Sequence, residues 1–163
     1  MYRLIVFLTI FTLVITGCKP ASDSGTADSA ILTSTTFLAD ITHRVAGDRV
    51  TAESLLPIGA DPHSYQPTPR DVARIADSKL LIINGAEYEH FLESLLENAG
   101  GEKEIVEAST GISPRVDAES EHGVDPHMWL DPNNVILYVE NIRAGLAQFD
   151  PEGAAVYQAN ADA

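Results

Sequence analysis

Leu80-Leu81-Ile82-Ile83-Asn84-Gly85 is the stretch that decides the fold. Its apolar residues are continuous rather than alternating. Such a run asks for cover on both faces, as a parallel strand inside an α/β sheet has. Asn84 and Gly85 then turn the chain, since both tolerate positive φ.

The flanks agree with that reading. Before the run, Thr68-Pro69 is a cap followed by proline, and Val72, Ile75 and Ala76 fall on one side of the helix it starts. After it, Tyr88, Phe91, Leu92, Leu95 and Leu96 mark a second helix, which stops at Gly100-Gly101. Residues 104–108 read as a strand. Further back, residues 31–35 and 50–56 read as strands, separated by a helix carrying Phe37, Leu38, Ile41 and Val45. Residues 109–124, rich in Ser, Asp and Glu, read as loop. Val135, Val139, Ile142, Leu146 and Phe149 recur at helical spacing beyond it. Strand and helix alternate four times, so the expected fold is α/β, a parallel four-stranded sheet with helices on both faces. In such sheets ligands gather at the carboxyl ends of the strands.

Two loops share a pattern. Asp61-Pro62-His63-Ser64-Tyr65 leads to Thr68-Pro69, and Asp125-Pro126-His127-Met128-Trp129 leads to Asp131-Pro132. Each has an aromatic residue two positions after the histidine and a proline-started helix beyond. Proline fixes its own φ and restricts the residue before it. Both loops follow expected strands, so His63 and His127 are expected on the binding edge. Neutral imidazole is the commonest metal ligand, which makes these two the candidate metal-ligating residues. Asp61, Asp125 and Asp131 are candidate acceptors for the ring N–H groups, with Asp131 also needed as a helix cap. Tyr65 and Trp129 are expected to pack the loops, and His43, His90 and His122 to lie at the surface. Glu89, Glu93 and Glu97 are expected to form a solvated helix face.

Charge narrows the function. The chain of 163 residues carries a formal net charge of −14. That excludes a nucleic-acid partner and a polybasic membrane patch, and suits a cationic ligand. The chain opens with Met1-Tyr2-Arg3 and a short apolar run from Leu4 to Ile15, the length of a secretory h-region. Ile15-Thr16-Gly17-Cys18 resembles the lipobox of bacterial lipoproteins, and Cys18 is the one cysteine in the chain. Residues 1–17 are therefore expected to be a signal peptide. Residues 18–30, small and polar, read as a lipidated tether. Asp150-Pro151 starts one more helix, which runs toward the end of the sequence without a stop signal and reads as cut off inside the helix.

Taken together, residues 59–71, Asn84-Gly85 with Glu89, and residues 125–132 resemble the metal-binding lipoproteins of zinc and manganese ABC importers. The resemblance covers the chain from about residue 31 onward. It implies a two-lobed binding protein whose lobes are joined by a long helix, with the metal between them. Residues 31–150 then correspond to the amino-terminal metal-binding lobe, and residues 151–163 to the start of the linking helix. It also implies that His63 and His127 are the ligands this lobe contributes, with Zn²⁺ or Mn²⁺ as the transported ion. The implied partners are the permease of the importer and, through the lipid anchor, the membrane. The implied location is the outer face of the cytoplasmic membrane or the periplasm. Members dedicated to zinc often carry a His-rich insertion before the second histidine. Residues 119–123 hold only His122, which leans toward manganese or toward zinc without that loop. Two other functions remain open on the sequence: a metal-dependent hydrolase and a surface adhesin. The first lacks a His-Glu-x-x-His pair and a nearby general base, so catalysis is not expected.

Overall fold

The computed structural model describes residues 30–116 and 123–163. Cys18, the expected signal peptide, most of the expected tether and His122 lie outside these residues. The chain runs β1 (Ile31–Thr33), α1 (Thr36–Ala46), β2 (Ala52–Ser54), α2 (Pro69–Asp77), β3 (Leu80–Ile83), α3 (His90–Ala99) and β4 (Glu104–Glu107). Then come β5 (Arg115–Val116), β6 (Val124–Asp125), α4 (Pro132–Phe149) and α5 (Ala154–Ala161).

The main sheet has four strands in the order β2-β1-β3-β4, all parallel. Ile31 pairs with Leu80 and Thr33 with Ile82, which puts β1 and β3 side by side at the centre. Alternate residues of these strands serve opposite cores. Ile31, Leu80 and Ile82 pack with Leu38 of α1, Tyr138, Ile142 and Leu146 of α4, and Tyr157 of α5. Leu32 and Leu81 pack with Ile75 of α2 and Phe91, Leu92 and Leu95 of α3. Helices thus cover both faces, and the continuous apolar run of β3 is explained: it is at most 0% exposed from Leu80 to Ile82. The chain leaves β1 for β2 on one side and returns to β3 on the other. Between β1 and β3 the order reverses, and the carboxyl ends of the strands at such a reversal are where α/β sheets gather their ligands.

Local signals act as their chemistry demands. Thr68 and Asp71 form a reciprocal capping box at the start of α2, ahead of Pro69. Asp131 accepts the Asn133 N–H and caps α4. Gly145 of α4 lies against Val106 of β4, where a side chain would overlap it. That close approach seats the helix on the sheet.

Residues 109–124 were expected to be loop throughout. Arg115–Val116 instead pairs antiparallel with Val124–Asp125 as a separate two-stranded ribbon. The pairing is only two residues long, one charged residue and one valine on each strand, so no periodic pattern marks it. The second Asp-Pro-His loop therefore follows this ribbon and not a strand of the main sheet. Past Asp150, residues Pro151–Gly153 form a 3-10 turn before α5. Gly153 lies against Arg49 and Tyr157, leaving no room for a side chain.

Candidate metal centre

The first histidine is carried by the long connection from β2 to α2. Leu55 and Leu56 still donate to Thr33 and Ser34 carbonyls, holding the start of that connection on the sheet edge. The Asp61 carboxylate then accepts the His63 backbone N–H at 3.0 Å and the Ser64 hydroxyl at 2.9 Å. These bonds, the His63 N–H foremost, hold the Asp61 carboxyl below the usual carboxylate range. Tyr65 packs edge-on against Phe91 and donates to Asp71, so it fastens the loop to α2 and α3 as expected.

The second histidine repeats the device. Asp125 accepts the His127 backbone N–H at 3.0 Å, and the same oxygen lies 2.8 Å from His127 Nδ1. A carboxylate only accepts, so Nδ1 carries the hydrogen and the neutral ring keeps its lone pair on Nε2. Both bonds from His127 hold the Asp125 carboxyl below its usual range. His127 precedes a 3-10 turn, Met128–Leu130, which was expected as plain loop.

The two loops meet. His63 Nε2 lies 3.4 Å from His127 Nε2, across 64 positions of sequence. Their ring centroids are 5.5 Å apart. Tyr88 stands edge-on to both, at 5.5 Å from His63 and 5.7 Å from His127. Trp129 contacts Tyr88 and His127 and stacks on Phe37 at 4.4 Å. The aromatic rings wall one side of the histidine pair, and burial pushes the Tyr88 phenol up to about 12. A cleft bordered by Arg115, Leu130 and Asn134 reaches His127. Among the described residues, no group of three or more His, Cys, Asp or Glu side chains is placed to hold a metal ion.

Of the three aspartates expected to orient the rings, Asp125 does so. Asp61 is taken up by the loop's own backbone and Ser64. Asp131 is taken up by capping, through the backbone and side chain of Asn133. His43 and His90 are exposed, as expected, and His43 Nε2 bonds the Ala52 carbonyl at 2.8 Å.

Glu89 overturns its expectation. Glu93 and Glu97 are exposed, but Glu89 is only 8% exposed. It sits just before α3, where the chain has not yet taken the helical path, so it points back to the sheet edge rather than along the helix face. Its carboxylate accepts from Ser34 Oγ at 2.6 Å, Asn84 N at 2.6 Å and Gly85 N at 3.0 Å. Burial is the main reason its pKa is raised, and these bonds oppose it. They also hold a strained turn. Gly85, Ala86 and Glu87 all have positive φ, at 83°, 51° and 60°. For the two non-glycine residues this costs about 1–3 kcal/mol each. Glu107 accepts the Ala86 N–H and supports the same turn. The turn delivers Tyr88 against both histidines, whereas the sequence placed Tyr88 on the face of α3.

Residues 31–163 match the family described as zinc-uptake complex component A, periplasmic. The chain belongs to that family. Within reach of this zinc-uptake family lies the manganese-binding lipoprotein MntA of Halalkalibacterium halodurans, 39% identical over 96% of this chain and 52% of its own length. The iron-binding protein YfeA of Yersinia pestis is 36% identical over 82% of this chain and 43% of its own. Among solved structures, the Mn-bound periplasmic metal-binding protein of Candidatus Liberibacter asiaticus superposes with a TM-score of 0.75 at 34% identity. That match covers 81% of this chain and 50% of the other. The chain spans about half the length of the family relatives it matches.

Proposed function

We propose that this fold is the amino-terminal lobe of an extracytoplasmic solute-binding lipoprotein, which captures Zn²⁺ or Mn²⁺ and delivers it to an ABC importer. His63 and His127 supply two imidazole ligands, and the remaining positions fall to groups outside the described residues. The ion is cargo, and capture makes or breaks no covalent bond.

The separation of the two Nε2 atoms carries this reading. It is 3.4 Å. Two nitrogens at zinc's usual bond length in a tetrahedral site stand about 3.3–3.4 Å apart. The pair therefore needs little movement to share one ion. Asp125 supports the reading further, since it leaves the lone pair of His127 on the atom facing His63. The acidic chain, at −14, offsets part of the work of drawing in a dication. The relatives named for manganese and iron support the class of ion.

In this reading residues 1–17 are a signal peptide, Cys18 bears the lipid, and residues 18–30 tether residues 31–150 to the outer face of the cytoplasmic membrane. Residues 151–163 begin the linking helix to a second lobe, and the membrane permease of the importer is the partner.

The test is metal binding by the protein and its His63→Ala and His127→Ala variants, followed with a competing chromophoric chelator. Each variant is expected to lose more than the roughly 10–100-fold that an outer-shell change costs, with an unchanged circular dichroism spectrum. Equal affinity in the wild type and the double variant overturns the reading.

A further inference from the structure

Just before the strained turn after β3 stands a residue that the two-histidine reading does not use. Asn84 is fully buried. Its side-chain nitrogen donates to the Gly85 carbonyl at 2.9 Å and to the Pro126 carbonyl at 3.2 Å. Carbonyls only accept, so the orientation of this amide is fixed by its partners. Its side-chain oxygen accepts the Tyr138 hydroxyl at 2.6 Å. Its backbone N–H goes to Glu89, and its carbonyl accepts from Ser109. Every polar group of Asn84 is thus engaged, and one bond leads to the peptide immediately before His127.

We propose that Asn84 is a positioning residue for His127: its amide pins the Pro126 carbonyl to the end of the central strand and so sets where His127 Nε2 stands relative to His63. Two holds then act on one imidazole. Asp125 fixes the rotation of the ring. Asn84 fixes the peptide that carries it. The anchor is stiff because Asn84 is itself held by Glu89, which ties β1, β3 and the start of α3 together. The second Asp-Pro-His loop follows a ribbon outside the main sheet, and Asn84 gives this loop a direct side-chain bond to the end of β3. The inference rests on the two-histidine reading for its consequence in metal binding, though not for its geometry.

Asn84→Asp keeps the shape and the acceptor for Tyr138 but turns a carboxylate oxygen onto two carbonyls. Asn84→Ala removes the donor without adding charge and serves if the aspartate variant does not fold. Tyr138→Phe is the matched control, since it disturbs the same buried cluster and leaves the bond to Pro126 intact. Zn²⁺ dissociation constants are expected to rise about 10–100-fold in the Asn84 variants and to stay near wild type in Tyr138→Phe. The Asn84 effect should vanish in a His127→Ala background and persist in a His63→Ala background. In the metal-free protein, NMR of the imidazole nitrogens should show the His127 ring shifted by Asn84→Ala while His43 and His90 stay put. If wild-type metal binding does not depend on His63 and His127, the functional reading fails, and the NMR result alone decides the placement of His127. An unmoved His127 ring overturns the proposal. So does a loss of affinity that is equal in Asn84→Ala and Tyr138→Phe and tracks their loss of stability.

Discussion

His63 Nε2 and His127 Nε2 stand 3.4 Å apart, and each histidine donates its backbone N–H to an aspartate two residues earlier. One local device, used twice, brings two distant loops to the same point. The loops differ in what else the aspartate does. Asp125 also takes the ring N–H of His127, while Asp61 takes the Ser64 hydroxyl.

That difference predicts unequal mutants. Asp125→Asn weakens the hold on the His127 ring and should raise the zinc dissociation constant about 10–100-fold. Asp61→Asn changes only the loop's internal bonds and should cost much less. Competition with a chromophoric chelator measures both. Equal losses would show that Asp125 does not act through the ring.

The core that seats α4 makes a second contrast. Ile142 is fully buried between α4 and the sheet, whereas Ile136 on the same helix is 64% exposed. Ile142→Ala should cost about 2–5 kcal/mol in urea unfolding. Ile136→Ala should stay within about 0.5 kcal/mol. Similar costs at the two positions would mean that α4 packs by another face.

Much of this architecture was legible because its signals are local. The apolar run of β3, the Thr68-Pro69 and Asp131-Pro132 helix starts, and the Gly100-Gly101 stop each depend on neighbouring residues alone. The pairing of His63 with His127 was suggested by the repeated Asp-Pro-His pattern, although their distance needed the fold. Glu89 was misread because spacing with Glu93 and Glu97 described a helix face that begins one residue later. Its role depends on Ser34, which is 55 positions away. The β5–β6 ribbon was missed for the opposite reason: it is too short to leave any pattern.

Acid stability offers a test at the start of the last helical segment. Asp150 bonds Arg49 and Tyr157. Those bonds, Arg49 first, hold its carboxyl down to about 2. An unfolded aspartate titrates near 3.9. With the folded value below the unfolded one, the unfolded chain takes the proton first. The stabilisation is therefore complete above the unfolded value and is lost as pH falls through about 2. The difference in urea midpoint between wild type and Asp150→Asn should be flat from about pH 5 to 7 and shrink between about pH 4 and 2. A difference that grows on acidification would contradict the assignment.

The proposed anchor has its own test. Cys18→Ser should stop lipidation and move the protein from the membrane fraction to the soluble one, because the acyl chains supply the buried methylenes that hold it. Unchanged fractionation on cell lysis would remove Cys18 from the account.

X-ray absorption at the zinc edge tests the central claim most directly. With one Zn²⁺ bound per chain, two imidazole nitrogens are expected at about 2.0–2.1 Å from a single ion, falling to one in either His63→Ala or His127→Ala. A wild-type spectrum with fewer than two imidazoles, or one left unchanged by both substitutions, would contradict it.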